Sequence, residues 1–552
     1  MKKPQDLCQI EHPIVVCRGR QENATYCDPG IEGYRGNPYI EALPAILTED
    51  EALDALAYYP KHSEEERQAP SHLRLHMIQS ALDFFAPLPI HLDLEQRISR
   101  LIRAGYKGRN PLELQSRQDQ EKKLQSISQP GNSQRFCRRS MAAGFTIIGF
   151  PGVGKTSAVE EILQLYPQVI HHSRYQDRNY TRSQIVWLKI ECPHDGSPKG
   201  LCVNFFQAVD SLLGTNYQRN FAGGRRTLDE LMPNMARVAS IHGIGVLVID
   251  DIQFLRQASS DNSSRMLNFF TYLVSTVGIP VLLIATYKAR HVLTGEFSAV
   301  RRGTGQGDLV WDRMEEGDWQ QREEEGERVS KNNNEQEAGE VQTPSVWQVF
   351  LESLWHFQYT RTPSPLTQEL SHVLYTQTQG ITDFAVKVYM LAQVRAITTD
   401  DTGEERLTDK IIESVAQDSL KTAQRVLNAL RLGDLEGLEK VEDIHPIEIE
   451  PYLQKAFKEL QHLEKLRSLA TENDRKNQNV DASDSNLQAQ RKSNDATKPA
   501  PKARRRKKPK AISNQSYADG DLRASLSASA EAETDVYDKL HQDGFIQPGT
   551  IS

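Results

Sequence analysis

Apolar positions along the 552-residue chain change their period several times. Between residues 141 and 286, short apolar runs alternate with helical patterns. Phe145-Thr146-Ile147-Ile148 predicts a buried strand, and 157–166 an amphipathic helix with Val159, Ile162, Leu163 and Tyr166 on one face. Residues 184–191 predict a second strand, 201–213 and 228–242 two helices, 245–249 a short strand, 266–277 a helix and 281–285 another buried strand. That alternation predicts an α/β core, a parallel sheet flanked by helices. Residues 346–432 carry helical periodicity with almost no strand signal, as a small helical domain would.

Outside these stretches the pattern is weaker. Residues 30–38 are rich in Gly, Asn and Pro and predict an extended or looped arm. Within 73–106, Leu94, Ile98, Leu101 and Ile102 mark an amphipathic helix interleaved with Arg97, Arg100, Arg103, Lys107 and Arg109. Residues 115–134 are polar, a helix end plus linker. Leu453, Phe457, Leu460, Leu463 and Leu466 share a helical spacing, suited either to a lone amphipathic helix or to one that binds a partner. Residues 313–342 are acidic and Asn-rich, with the character of a disordered or mobile insertion. After residue 471 apolar content collapses, a basic block fills 498–510, and VYDKLHQDGFI at 536–546 is a small apolar patch in a polar tail. The expected divisions are an N-terminal extension (1–135), an α/β core (136–312), an acidic insertion (313–345), a helical lid (346–435), an amphipathic segment (436–470) and a tail (471–552).

Composition changes the picture in three ways. A net charge of −8 argues against a uniformly basic nucleic-acid binder, yet it conceals the asymmetry just described. No apolar run approaches the ~18 residues of a membrane span and no apolar signal-peptide core is evident, so a cytoplasmic protein without membrane contact is expected. The six cysteines (Cys8, Cys17, Cys27, Cys137, Cys192, Cys202) form no C-x-x-C pair, which favours reduced thiols over a zinc or redox site.

The candidate chemistry starts at Gly149-Phe150-Pro151-Gly152-Val153-Gly154-Lys155-Thr156, which fits G-x-x-x-x-G-K-[ST] between a predicted strand and a predicted helix. Gly149, Pro151, Gly152, Val153, Gly154, Lys155, Thr156 and Ser157 would form the cradle, in which the N–H groups of the residues other than proline and the helix N-terminus face a triphosphate, with Lys155 on its outer phosphates. Thr156 would hold Mg²⁺ through its hydroxyl. Val246-Leu247-Val248-Ile249-Asp250-Asp251 has the pattern of a buried strand ending in acids at the ligand edge of the sheet. Asp250 would attend the metal; Asp251 takes the place where a Glu commonly polarises the attacking water, one methylene short. Thr286, at the end of the 281–285 strand, is placed to sense the γ-phosphate. Arg301 and Arg302 are candidates to reach a neighbouring subunit's site. In the helical domain, Lys387 lies four residues beyond Asp383 on one helix face and is the basic candidate for nucleotide contact.

Strand, phosphate loop, acid-ended strand, sensor threonine and helical lid together resemble an AAA+ ATPase. The segments GIEGYRGNPYIEALP (30–44), RISRLIRAGYKGRNP (97–111), YPQVIHH (166–172), NFFQAVDSLLGTNYQR (204–219), VLVIDDIQFL (246–255), MLNFF (266–270), VRRGTG (300–305) and QGITDFAVKVYMLAQVRA (379–396) resemble TnsC, and DGDLR (519–523) does so faintly. TnsC proteins are AAA+ regulators of heteromeric cut-and-paste transposition. The resemblance implies an ATP- and Mg²⁺-dependent homo-oligomer, a ring or helical filament, on double-stranded target DNA. It implies partners as well: a target selector of TnsD/TniQ type at the N-terminal arm, and the transposase TnsB and endonuclease TnsA at the tail. Lys199, Arg219, Arg225 and Arg226 would contact DNA phosphates without reading sequence. The family pattern has Asp-Glu where this chain has Asp250-Asp251, which points to slow hydrolysis. Two alternatives stay open: another AAA+ DNA-loading machine, such as a replication initiator or helicase loader, and an ATP-binding scaffold with negligible hydrolysis.

Overall fold

The computed structural model describes residues 18–113, 144–224, 226–256, 260–289, 307–319, 344–399, 404–433, 449–458, 460, 461 and 465. The basic block and the terminal patch lie in a second unit, Leu469–Ser552, outside the described residues.

Eight strands are described: β1 (Gln21–Asn23), β2 (Gly144–Gly149), β3 (Val169–Tyr175), β4 (Arg178–Ile185), β5 (Trp187–Glu191), β6 (Val246–Asp250), β7 (Val281–Thr286) and β8 (Leu309–Trp311). Five form one sheet in the order β5-β6-β7-β2-β8, with every neighbouring pair parallel. Strands β2, β6 and β7 are buried at every position, which is why they appear in the sequence as unbroken apolar runs. Side-chain alternation sorts them onto two faces. Phe145, Ile147, Val248 and Ile284 pack with the helices Pro89–Lys107 and Lys155–Gln164. Ile148, Leu247, Ile249 and Leu283 pack with Pro198–Leu213, Leu228–Ile241 and Ser260–Tyr272. This is the AAA+ P-loop fold.

The strand expected at 184–191 divides at Val186 into two sheets. Its first part ends β4, which pairs antiparallel with β3; β1 pairs parallel with β3 on the other side. Its second part is β5 at the edge of the core sheet. Ile185, Val186, Trp187 and Leu188 are all fully buried, so the apolar run passes without a break from one sheet to the next. The hairpin turn places Gln176 (φ 44°) and Asp177 (φ 61°) in the left-handed region, as a two-residue hairpin loop requires.

The N-terminal segment packs on the core. Asn37 caps the short helix Pro38–Glu41 and also donates through Nδ2 to the Tyr106 carbonyl (2.9 Å). Tyr106, fully buried, donates to the Gly243 carbonyl (2.8 Å) at the entry to β6. Arg103 and Arg109, interleaved with apolar positions in the sequence, are buried; Arg103 donates to Ser99 Oγ (2.7 Å) and the Pro44 carbonyl (2.6 Å). They brace the fold.

Among the described residues between β8 and Gly433, five helices follow: Val346–Trp355, Gln368–Thr378, Thr382–Thr399, Asp409–Ser419 and Gln424–Leu432. The first residues of the expected acidic insertion form a strap to them. Arg313 donates to Gln379 Oε1 (2.6 Å), the Met314 N–H to the Gly380 carbonyl (3.1 Å), and Ser345 Oγ to the Glu316 carbonyl (2.7 Å). Residues 320–343 lie outside the described residues. In the 449–461 stretch, Leu453, Ala456 and Leu460 bury themselves with Leu75, Ile78, Met390 and Val394, so their apolar face is covered by the chain itself. Leu463 and Leu466 are outside the described residues. Among the described residues, no helix is long and apolar enough to cross a membrane.

Candidate nucleotide site at the sheet edge

The strand register brings the candidate residues to one edge. Gly149 ends β2 opposite both Thr286 of β7 and Trp311 of β8, while Asp250 ends β6 beside Glu191 of β5. Each glycine of the loop has a separate reason to be there. Gly152 (φ 81°) and Gly154 (φ 93°) occupy the left-handed region. Gly149 is constrained by space: a Cβ there would lie 2.0 Å from the Trp311 carbonyl oxygen. Gly149→Ala should therefore push β8 off β2 and cost about 2–3 kcal/mol of stability. A melting temperature equal to wild type would contradict that packing.

Gly154 precedes the helix Lys155–Gln164, whose first N–H groups have no intrahelical partner and favour an anion. Lys155 is buried and donates through Nζ to the carbonyls of Gly149 (3.1 Å) and Phe150 (2.5 Å). Burial pulls its ammonium down to about 8, against the opposing pull of Asp250 and Asp251. Thr156 Oγ1 donates to Asp250 Oδ2 (3.0 Å), and Asp250 Oδ1 accepts the Asp251 N–H (2.8 Å). Lys189 Nζ of β5 stands 3.3 Å from the same Asp250 Oδ2 and 2.7 Å from Glu160 Oε1. Asp251 adopts φ 57° and accepts from Gln253 Nε2 (2.8 Å). Burial first, and then the charge of Asp250, raise the Asp251 pKa. Thr286 Oγ1 is buried without a hydrogen-bond partner among the described residues.

These groups line one cavity of about 1490 Å³ that includes Pro151 to Ser157, Asp250, Asp251 and Thr286. The lid closes onto the loop itself: the Asp383 N–H donates to the Gly152 carbonyl (2.9 Å), and Thr382 and Asp383 line the cavity. Lys387 is ion-paired to Asp383 (2.8 Å), and Asp383 rather than Lys387 is the lining residue. Thr156 Oγ1 and the Asp250 carboxylate are hard oxygen donors meeting at one point, a set that fits Mg²⁺ completed by phosphate oxygens and water.

Several lining residues had no sequence signal. Phe85, His91 and Trp311 form an aromatic corner, with ring centroids 4.8 Å (Phe85–His91) and 5.3 Å (His91–Trp311) apart. His91 Nδ1 accepts the Leu88 N–H (2.9 Å), and burial pulls its pKa to about 4, so the ring is neutral. Asp312 and Arg313 reach the cavity from the strap.

The other candidates are scattered. Lys199, exposed, lies in the first turn of Pro198–Leu213, and Arg219, exposed, lies in the turn Gln218–Ala222 beyond its other end. Arg226 is half-exposed and paired with Glu230 (3.6 Å). Arg225, Arg301 and Arg302 lie outside the described residues.

The AAA domain family profile matches residues 138–293, the segment that carries β2 to β7 and the phosphate loop. No curated protein sequence matches the chain significantly. Among solved structures, the Orc1 protein of Aeropyrum pernix in complex with DNA is similar at 13% identity over 63% of this chain and 83% of that one, with a TM-score of 0.31. A Walker-type ATPase of Pyrococcus abyssi matches at 12% identity over 62% and 88%, with a TM-score of 0.30. The ADP form of the Aeropyrum pernix Orc2 protein matches at 11% identity over 62% and 89%, with a TM-score of 0.31.

Proposed function

We propose that this chain is an ATP-dependent, DNA-binding regulator of transposition of the TnsC type. It assembles on target DNA with ATP bound, links a target selector to the transposase, and disassembles as ATP is hydrolysed. The ATPase part rests on one arrangement: Lys155, Thr156, Asp250 and the unpartnered Thr286 hydroxyl converging on a single cavity. The transposition part rests on sequence segments outside the ATPase motifs, notably 30–44 and 97–111.

Lys155 and the loop N–H groups bind the outer phosphates of ATP. Thr156 and Asp250 would hold Mg²⁺, which would supply neutralisation of phosphate charge. Asp251 orients the attacking water, and Thr286 donates its free hydroxyl to a phosphate oxygen. Arg301 and Arg302 act across the subunit boundary. Lys387 exchanges Asp383 for nucleotide, and Lys199, Arg219, Arg225 and Arg226 contact DNA phosphates. Slow turnover follows from Asp251, which is short for its task and already engaged by Gln253.

The test is electron microscopy of the full chain on duplex DNA with a non-hydrolysable ATP analogue, alongside DNA-stimulated ATPase rates. Rings or filaments that form only with analogue and capture TnsB- and TnsA-type partners are expected, and Asp251→Glu should raise turnover roughly tenfold. Assemblies that ignore transposase but load a replicative helicase would transfer the protein to the initiator or loader class. Absence of turnover in both wild type and Asp251→Glu would leave the scaffold.

A further inference from the structure

The mechanism above leaves one charged side chain beside the Thr156–Asp250 pair without a task. Lys189 projects from β5, with a tenth of its side chain exposed, between two carboxylates from different elements. Glu160 belongs to the helix that follows the phosphate loop; Asp250 ends β6. The contact to Asp250 is to Oδ2, the oxygen that also accepts from Thr156. A lysine there is a fixed positive charge next to the oxygens that suit a divalent cation.

We propose that Lys189 is a positioning residue that makes divalent-cation binding depend on nucleotide, by occupying Asp250 until a metal–triphosphate arrives. The inference rests on the ATP and Mg²⁺ reading of this site. In the free protein, Lys189 and the Thr156 hydroxyl satisfy Asp250 Oδ2, so the carboxylate needs no metal and a bare dication meets a cation of like sign. When a triphosphate brings its own negative charge, the balance reverses. The ammonium then has Glu160 already at 2.7 Å, closer than Asp250 at 3.3 Å, and can give up Asp250 without losing all its partners. Glu160 is thus the resting place that lets Lys189 yield, and through it Lys189 holds the phosphate-loop helix to β5 in both states.

The two residues make opposite predictions, which separates this role from simple bracing. Mn²⁺ binding to the full chain, read from the free-ion electron paramagnetic resonance signal, should be weak in wild type without nucleotide. Lys189→Met frees Asp250 and should tighten nucleotide-free Mn²⁺ binding by about tenfold, the lower end of what changing a residue in contact with a metal ligand does. Glu160→Gln removes the resting place, leaves Lys189 committed to Asp250, and should weaken Mn²⁺ binding in the presence of a non-hydrolysable ATP analogue by a similar factor. Lys189→Arg should resemble wild type without nucleotide. If both variants shift Mn²⁺ affinity in the same direction, or neither shifts it while melting temperatures show intact folds, the proposal is overturned. Failure of wild type to bind the ATP analogue at all would instead overturn the ATPase reading beneath it.

Discussion

Lys155→Ala should abolish the thermal shift that an ATP analogue with Mg²⁺ gives the wild-type protein, while leaving the nucleotide-free melting temperature unchanged or higher. Affinity should fall by about 3–4 kcal/mol, two to three orders of magnitude, because the variant removes a buried charge that faces phosphate. The stability half of the prediction has a separate cause. Lys155 is held in a site whose burial disfavours its charge, and among the described residues its ammonium donates to the carbonyls of Gly149 and Phe150. Those bonds satisfy the ammonium without repaying its desolvation. Asp250 keeps Lys189 and Thr156 as partners, so removing Lys155 strands no buried carboxylate. A charge retained against folding stability is expected where function needs it. Scanning fluorimetry with and without analogue checks both halves. A variant that keeps the analogue-induced shift would remove Lys155 from the phosphate site.

The sequence showed the parts of this site whose chemistry is local. A phosphate loop must have glycines at the left-handed positions 152 and 154, and its lysine and threonine follow at fixed spacing. Strands β2, β6 and β7 are buried on both faces, so their apolar runs and polar ends are visible without a fold. The hairpin β3–β4 was invisible because its strands carry His171, His172, Ser173, Arg174, Asn179 and Thr181, with no apolar alternation. Its presence also divided one continuous apolar stretch into two strands. Arg103 is drawn inward by the Pro44 carbonyl, a partner that no helix-period argument can supply, while Arg109 turns back onto the Gly105 carbonyl four residues earlier. The aromatic corner and Lys189 are tertiary as well: His91, beside Phe85, meets Trp311, and Lys189 meets Asp250, across long stretches of chain. The spacing of Asp383 and Lys387 was legible as one helix face, and the structure uses it for an ion pair.

Arg74→Met should be the most destabilising single change outside the nucleotide site. Arg74 is completely buried, and its guanidinium holds the N-terminal segment to the lid. It donates to the carbonyls of Ala69 (2.9 Å) and Tyr359 (2.8 Å), to Ser71 Oγ (3.2 Å), and through both terminal nitrogens to Glu405, one at 2.8 Å. Glu405 is itself buried, sits at φ 52°, and also accepts the Arg361 N–H (3.0 Å). Removing the arginine takes two charge-assisted hydrogen bonds from that buried carboxylate, which costs about 3–5 kcal/mol. Replacing both members is different, because a buried ion pair contributes little over an apolar pair of similar volume. Arg74→Met with Glu405→Met should therefore recover most of the loss, leaving the penalty of the unpaired Ala69 and Tyr359 carbonyls. The measurement is the urea midpoint of each variant, with hydrogen exchange at 69–78 and 404–407 to locate the opening. A double variant as unstable as Arg74→Met would mean that the carbonyl bonds, not the ion pair, tie the N-terminal segment to the lid. Recovery in the double variant would instead assign the single variant's loss to the stranded carboxylate, since both proteins lack the same carbonyl bonds.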